Sequence, residues 1–308
     1  MTEFPVRVSA RRDEAEAVFS LELTPVADGQ LPSWEPGAHI DVAVGAAGVR
    51  QYSLCGDPAD RLRWRIAVLR EPGGRGGSEY LYQTACSDAV LRVSRPRNNF
   101  GLVERESYVF IAGGIGITPI LPMVSAARAA GARWELYYGG RTLAHMAFAE
   151  EIFNYQQARL LPQDQHGLLP IADIITDHLG SAIYCCGPEP LLAAVETEGA
   201  LHHSDVFVER FVPRADTAPC GAFEIQLASS GEILHIGADE SIADVLDAAG
   251  IGIITSCREG TCGSCETAVL AGEIDHRDSV LTTEERSCGN TMMLCVSRAK
   301  SDVLVLDL

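Results

Sequence analysis

Cys257-Arg258-Glu259-Gly260-Thr261-Cys262-Gly263-Ser264-Cys265, followed after a long gap by Cys295, is the stretch that organises this chain. The spacing C-x4-C-x2-C plus one distant cysteine is the ligand pattern of a plant-type [2Fe–2S] cluster held by four thiolates. Three ligands on one tight loop wrap one side of a small cluster, and the fourth has to arrive from another segment. The domain must therefore fold around the metal. Gly260 and Gly263 suit such a loop, because backbone amides must approach the sulfides and glycine permits positive φ. The competing readings are weaker. Cys262-Gly263-Ser264-Cys265 alone fits a redox CxxC or half a zinc site. A thioredoxin-like motif should open a helix in a βαβ unit, and a zinc site usually pairs two CxxC knuckles. Rieske ligation needs two histidines, and only His276 lies nearby.

A length of 308 residues suggests two or three domains, of ordinary globular composition. Residues 1–18 are charged and lack the apolar core of a signal peptide, and no apolar run is long enough to span a bilayer. Of ten cysteines, four are assigned to iron. The others, Cys55, Cys86, Cys185, Cys186, Cys220 and Cys288, form no framework, so a reducing cytoplasm is expected. A net charge of −18 argues against nucleic acid and anionic membrane as partners. The acid is uneven: residues 223–308 hold fifteen Asp and Glu against five Lys and Arg. This excess is either plain solubility or a negative docking face that steers a basic partner.

Residues 1–100 read as short strands at 7–10, 18–23, 39–44, 51–54, 63–69 and 90–93, broken by Pro36-Gly37, Gly45 and Pro72-Gly73-Gly74. This predicts a small antiparallel barrel. Within it lies Arg50-Gln51-Tyr52-Ser53-Leu54. On a strand Arg50 and Tyr52 share one face, Gln51 and Ser53 the other. An Arg pairs with phosphate, a Tyr packs on a flat ring and a Ser hydroxyl bonds a ring nitrogen. Gly73-Gly74-Arg75-Gly76-Gly77-Ser78 then leads into a helix at 79–84, and a Gly-rich turn entering a helix N-terminus is a ready anion site.

From residue 108 to 221 the pattern changes to alternating strands and helices. Strands are predicted at 108–112, 134–138, 182–186 and 206–208, and helices at 120–130, 147–157, 171–178 and 190–199. That alternation implies a parallel sheet with helices on its faces and ligands off the strands' C-terminal ends. Three Gly-bearing turns share that edge: Gly113-Gly114-Ile115-Gly116-Ile117-Thr118-Pro119, Gly139-Gly140-Arg141-Thr142 and Cys186-Gly187-Pro188. Thr118 is expected to cap the first helix, with Pro119 in its first turn. Residues 212–221, with Pro213, Asp216, Thr217 and Pro219, read as an interdomain linker. Beyond it come strands at 223–228 and 232–236. A helix follows at 241–249, with Ser241 as cap and Asp244 as capping-box partner. After the cluster loop come a strand at 267–271, a short helix near 282–285, a strand at 293–297 presenting Cys295, and a closing strand at 302–306. The layout is β-grasp-like. Cys288 lies close enough in sequence to stand in for Cys295 as the fourth ligand.

The R-x-Y-S strand with its glycine-rich helix start resembles the flavin-phosphate site of the ferredoxin–NAD(P) reductase superfamily. The G-x-G-x-x-P form of the dinucleotide turn is also what that superfamily carries after its flavin barrel. The order of flavin barrel, nicotinamide domain and C-terminal plant-type ferredoxin covers the whole chain. It resembles the phthalate dioxygenase reductase family, which includes vanillate demethylase reductases. The resemblance implies flavin contacts at Arg50, Gln51, Tyr52, Ser53, Ala67, Val68, Leu69, Gly76, Gly77 and Ser78. It implies nicotinamide-nucleotide contacts at Gly113, Gly114, Gly116, Thr118, Pro119, Gly139, Arg141, Cys186, Gly187 and Pro188. It places Ser53, Cys186, Glu209 and Phe211 at the reacting rings, and Cys257, Cys262, Cys265 and Cys295 on iron. Phe211 as plain core, Cys186 as a small buried residue and Arg141 as a surface charge are the competing views. The C-terminal position of the ferredoxin implies FMN rather than FAD, and NADH is the family's donor. Expected domains are 1–103 (flavin), 104–212 (nicotinamide), 213–221 (linker) and 222–308 (ferredoxin).

Electron counting supplies the expected mechanism. A nicotinamide gives a hydride, a [2Fe–2S] cluster takes one electron at a time, and a flavin does both, so it belongs between them. The resemblance implies a Rieske-type terminal oxygenase as partner. A reductase for another acceptor such as a cytochrome P450 is the alternative, and a non-enzymatic iron–sulfur module is a third class.

Overall fold

The computed structural model describes residues 3–213 and 221–308. Along the first strand, β1 (Phe4–Ala15), Val6 and Val8 are buried while Pro5 and Ser9 are exposed, the period-two pattern of a sheet with one wet face. It pairs antiparallel with β2 (Val18–Pro25). The unit continues through β3 (His39–Ala43), β4 (Val49–Ser53), β5 (Trp64–Leu69), helix α1 (Gly77–Thr84) and β6 (Val90–Val93). The sheet runs β4-β3-β6-β1-β2-β5. A bridge between Leu54 and Ile66 ties the two outer strands together and closes the barrel. Its core holds Phe19, Leu21, Leu23, Ile40, Val42, Trp64, Ile66 and Val68. All six expected strands are present. β1 is longer than predicted because register shifts after Val8 and Asp13 break the alternation without ending the pairing.

The second half of this unit alternates as expected. It comprises β7 (Ser107–Gly113), α2 (Ile117–Ala129), β8 (Arg133–Gly140), α3 (Ala149–Ile152), β9 (Ala158–Pro162), α4 (Gln163–His166), α5 (Ile171–Asp177), β10 (Ala182–Cys186), α6 (Glu189–Leu201) and β11 (Val206–Glu209). The sheet is parallel, in the order β11-β10-β7-β8-β9. Its strand order reverses between β7 and β10, the switch point where α/β sheets bind ligands.

Two expectations fail here. The helix predicted over 147–157 is a single turn, α3, followed by a strand the sequence reading missed, β9. Phe148 enters with φ 59 and Ile152 is fully buried. Asn154 donates its amide to the Glu150 carbonyl, and Tyr155 meets Trp134 edge-on at 5.8 Å. The apolar spacing of 148, 152 and 155 is thus satisfied by one turn pinned on the core. Thr118 does not cap α2: the cap position is Gly116, and the Thr118 hydroxyl donates to the Ile115 carbonyl at 3.0 Å. Pro119 does lie in the first turn.

The chain divides into two compact units, Met1–Glu209 and Arg210–Leu308. The second comprises β12 (Phe223–Leu227), β13 (Ile233–Ile236), α7 (Ile242–Ala248), β14 (Glu266–Ala271), β15 (Ile274–Asp275), α8 (Thr283–Cys288), β16 (Thr291–Met293), β17 (Arg298–Ala299) and β18 (Val303–Leu306). Its main sheet runs β13-β12-β18-β14-β16, with β12 and β18 parallel and the other pairs antiparallel. This is the β-grasp arrangement. Ile242, Ala243 and Leu246 of α7 join Phe223, Ile225, Ile236, Leu304 and Leu306 in one core. Buried Arg298 donates to the carbonyls of Gly221, Gly237 and Glu240, tying the approach to β12 to the turn between β13 and α7. Ser241 caps α7 by accepting from the Asp244 amide, but the reciprocal capping box forms at Thr282 and Glu285 instead. Asp216, Thr217 and Pro219 of the expected linker fall in 214–220, outside the described residues. Among the described residues no helix is long and apolar enough to cross a membrane.

Candidate functional site

Strand β4 carries Arg50 against the start of α1. Its guanidinium donates to the carbonyls of Val49 (2.8 Å) and Arg75 (3.1 Å). A Cβ on Gly77 would sit 2.5 Å from the Arg50 stem, so only glycine lets the helix start so close to this cation. Gly76 caps α1 in the left-handed conformation with φ 82, and no side chain bonds that end. A cation beside an uncapped helix N-terminus is an anion site in chemistry and placement. Ser78 is partly occupied, its hydroxyl accepting from the Glu71 amide.

On the same strand Tyr52 is half-buried, and burial raises its phenol to about 12 despite the Arg50 charge, so it stays neutral. Ser53 is 5 % exposed, and its Oγ has no partner among the described residues. A buried hydroxyl without a partner costs about 1–3 kcal/mol, a cost that a ring nitrogen placed against it would remove. The strand thus fits a flavin at its phosphate end and at its ring end. The side chains of Ala67 and Val68 lie in cores rather than in an open cleft, so a ligand there meets the β5 backbone.

The nicotinamide edge is built by glycine. A Cβ on Gly116 would lie 2.2 Å from the Cys186 carbonyl oxygen, and one on Gly113 would lie 2.7 Å from the Pro188 ring. The turns after β7 and β10 are therefore packed backbone to backbone across the switch point. The N-terminus of α2 has no side-chain cap and opens at the same edge. At the end of β8, Gly139 packs on Leu169, and just beyond it Arg141 is exposed with its carbonyl accepting from the Asp164 amide at 3.2 Å. Cys186 and Glu209 are register partners on β10 and β11, with Sγ 4.0 Å from Oε2. Burial drives the Glu209 carboxyl up to about 8 and pushes the Cys186 thiol well up. At neutral pH both hold their protons. Phe211 is 40 % exposed at the start of the second unit, so the reading of it as core fails.

Barrel and sheet meet in one apolar cluster. Val18 and Ala67 from the barrel strands and Cys55 from the loop after β4, with Leu69 beside them, pack with Ile115, Ile117 and Cys186 of the nucleotide edge. Polar ties reinforce the seam: the Arg65 guanidinium lies 4.7 Å over the Phe148 ring and 3.3 Å from the Glu151 carboxylate. Strand β5 and the Gly114–Gly116 turn are neighbours.

In the second unit the four expected ligands converge. The ladder of β14 with β16 pairs Glu266 with Met293, and the Leu294 amide donates to the Cys265 carbonyl. This sets Cys295 Sγ 3.2 Å from Cys265 Sγ. Hydrogen bonds from Cys262 and Cys295 hold the Cys257 thiol well below the usual thiol range. The Glu259 amide points at Cys257 Sγ (3.3 Å) and the Ser264 amide at Cys262 Sγ (3.4 Å). Four sulfurs in one connected set, turned by Arg258, Gly260 and Gly263 at φ 56, 68 and 73, fit a small iron–sulfur cluster. Cys288 is exposed at the end of α8 and takes no part. One feature the sequence reading missed is a clamp on this loop: Arg258 bonds Asp244 (2.5 Å) and Asp247 of α7. The i, i+3 spacing of those two aspartates on a helix was its visible trace.

The family model for the 2Fe-2S iron-sulfur cluster binding domain matches residues 225–300. A solved phthalate dioxygenase reductase, described as a modular structure for electron transfer from pyridine nucleotides to [2Fe-2S], superposes with a TM-score of 0.71. It is 37 % identical, with 99 % of this chain and 98 % of that chain covered. This chain belongs to the phthalate dioxygenase reductase family. Another family relative, the phenoxybenzoate dioxygenase subunit beta of Ectopseudomonas oleovorans, is 40 % identical over 100 % of this chain and 98 % of its own. An intact type IV self-sufficient cytochrome P450 monooxygenase matches with a TM-score of 0.92 and 39 % identity; this chain covers 41 % of its length. Flavin, nicotinamide and [2Fe–2S] are the family's redox groups, and the residues above suit each of them.

Three predictions follow the geometry of the two sites. Ser53→Ala should leave flavin content unchanged but slow flavin reduction by NADH about tenfold, the rate equivalent of about 1.4 kcal/mol, read by stopped-flow absorbance. Cys265→Ser should abolish the cluster's visible absorbance and its iron while flavin reduction survives, whereas Cys288→Ser should keep both. For Glu209 the folded value of about 8 lies above the ordinary 4.5. Below 4.5 both folded and unfolded forms carry the proton. As pH rises from there towards 8 the unfolded chain ionises first, so stability falls by at most about 1.4 kcal/mol per pH unit. Glu209→Gln should flatten that decline, measured as the denaturation midpoint of the first unit between pH 5 and 8.

Proposed function

We propose that this chain is an NADH-dependent electron-transfer reductase that uses FMN and one [2Fe–2S] cluster to deliver single electrons to a terminal oxygenase of the Rieske type. One observation carries the reading. The strand expected to face the flavin, through Ala67 and Leu69, shares a core with Ile115 and Cys186 of the nicotinamide edge. Hydride transfer needs donor and acceptor atoms about 3–3.5 Å apart, and a common core supports such an approach.

The chain's own residues then divide the work. Arg50 and the amides opening α1 hold the flavin phosphate, and Tyr52 and Ser53 seat the ring, with the Ser53 hydroxyl against the reacting nitrogen. Gly114 leaves room for the pyrophosphate at the α2 terminus while Gly113 and Gly116 pack the turn on the Cys186–Pro188 loop, with Thr118 and Pro119 shaping the first turn and Gly139 and Arg141 beyond it. Cys186, Gly187 and Pro188 support the nicotinamide, and Glu209 keeps a proton beside Cys186. Phe211 lies two residues beyond Glu209. When bound, the flavin takes a hydride and releases electrons singly to the cluster. Cys257, Cys262, Cys265 and Cys295 hold that cluster. Residues 1–103, 104–212 and 222–308 are read as its flavin, nicotinamide and ferredoxin domains. The acidic excess of 223–308 suits a basic docking face on the oxygenase. FMN and NADH rest on the family, and a cytoplasmic setting on the free cysteines.

The likeness to a P450-fused chain favours a second reading, with a haem monooxygenase as acceptor. The test is a visible spectrum of purified protein before and after anaerobic NADH, with the released flavin identified by mass. Bleaching of both flavin and cluster, with FMN released, is the expected result. Protein that lacks either chromophore, or a cluster that stays oxidised, overturns the reading. Turnover reconstituted with purified Rieske oxygenases or P450s separates the two acceptors.

A further inference from the structure

Behind the cluster loop lies a charged pair that the ligand set does not use. Asp278 is fully buried. Its Oδ2 accepts from the amides of Val280 (3.0 Å) and Leu281 (2.8 Å). Arg286 of α8 reaches back, donating to the Asp278 carbonyl (2.5 Å) and the Leu281 carbonyl (3.1 Å), with its Nη2 3.5 Å from Asp278 Oδ2. The other carboxylate oxygen, Oδ1, has no hydrogen-bond partner among the described residues; His276 Nδ1 stands 3.9 Å away.

Asp278 is pressed against the ligand-bearing loop at Gly260, and Gly260 in turn faces the segment that bears Cys295. The Ser279 amide donates to the Gly260 carbonyl at 2.8 Å, between Cys257 and Cys262. A Cβ on Gly260 would lie 3.0 Å from Asp278 Cα and 2.5 Å from Val296 Cγ2, and Val296 follows Cys295. Gly260 is therefore glycine for two reasons: its φ of 68 and the backbone of Asp278 against it. A buried carboxylate is expensive unless paired, and the arginine that faces it, Arg286, is 20 % exposed.

We propose that Asp278 and Arg286 are positioning residues for the iron–sulfur cluster, a buried ion pair that sets both the seat of the Gly260 turn and the reduction potential of the cluster. The inference rests on the cluster reading above. Reduction adds an electron to the cluster, so a nearby negative charge opposes it and a nearby positive charge favours it. The two members of the pair must act with opposite sign. A unit charge on the order of 10 Å away, at an effective dielectric of about 20, changes an equilibrium roughly tenfold.

The experiment uses the full-length holoprotein. It compares wild type, Asp278→Asn, Arg286→Gln, Arg286→Lys and the double Asp278→Asn/Arg286→Gln variant. Iron content is measured first, then the reduced-to-oxidised cluster ratio at one fixed ambient potential, with the electron paramagnetic resonance of the reduced cluster. Asp278→Asn should raise the ratio about tenfold and Arg286→Gln lower it by a similar factor. The double variant should return near wild type, and Arg286→Lys should match wild type. Shifts of the same sign in both single variants, or no shift in an iron-replete Asp278→Asn protein, overturn the proposal. If Asp278→Asn does not retain iron, the arginine variants decide: Lys matching wild type while Gln falls supports it, and any other pattern, iron loss in both included, overturns it. Wild type without iron would instead sink the cluster reading itself.

Discussion

The contact between Gly116 and the Cys186 carbonyl is the constraint from which the first unit's chemistry descends. A single methyl group at residue 116 would fall 2.2 Å from that oxygen, far inside any real van der Waals contact. Because the site is backbone against backbone, no side-chain rearrangement relieves it. The two loops at the switch point are held together, α2 opens beside them, and the β5 strand of the barrel closes the same cluster from the other side. The barrel and the parallel sheet are thereby joined through a continuous apolar seam rather than a flexible joint.

The second unit solves a different problem by similar means. Its ligands come from a tight loop and from the turn after β16, and four sulfurs must be brought together against their mutual repulsion as thiolates. Amides directed at Cys257 and Cys262, the Arg258 clamp to α7 and the Asp278 brace behind Gly260 all act on a loop of nine residues. The brace also bonds the amide of Leu281, whose side chain joins the sheet core. The cluster seat thus joins polar contacts on the loop to ligands, Cys265 and Cys295, that belong to the apolar β-grasp core.

Much of this was legible beforehand, for identifiable reasons. The cysteine spacing, the R-x-Y-S strand and the glycine turns are short-range patterns in which chemistry and backbone geometry demand one residue type; the four sulfurs converge, Arg50–Ser53 lie on β4, and the glycine turns lie at the ends of β7, β8 and β10. What escaped was long-range. The strand β9 was hidden because Phe148, Ile152 and Tyr155 satisfy a helical spacing with a single turn. The capping box was sought at Ser241, where Asp244 instead turns its carboxylate to the Ser241 hydroxyl and Arg258. The true box at Thr282 and Glu285 lay in a stretch read as a short helix without its cap. The Asp278–Arg286 pair had no local motif, since its meaning comes only from the loop that folds over it.

The parallel pairing of β12 with β18 has a practical corollary. Glu224 lies opposite Val303 and Leu227 opposite Leu306, so the polypeptide enters and leaves this sheet at opposite ends, and the carbonyl of Leu308 finishes beside Ser229 in the hairpin after β12. A tether attached beyond Leu308 would emerge by that hairpin, at the far end of the sheet from Phe223. An electrode or bead coupled there would pull along the strands in shear, the geometry in which parallel ladders resist force best, while leaving the sulfur-bearing loop unattached.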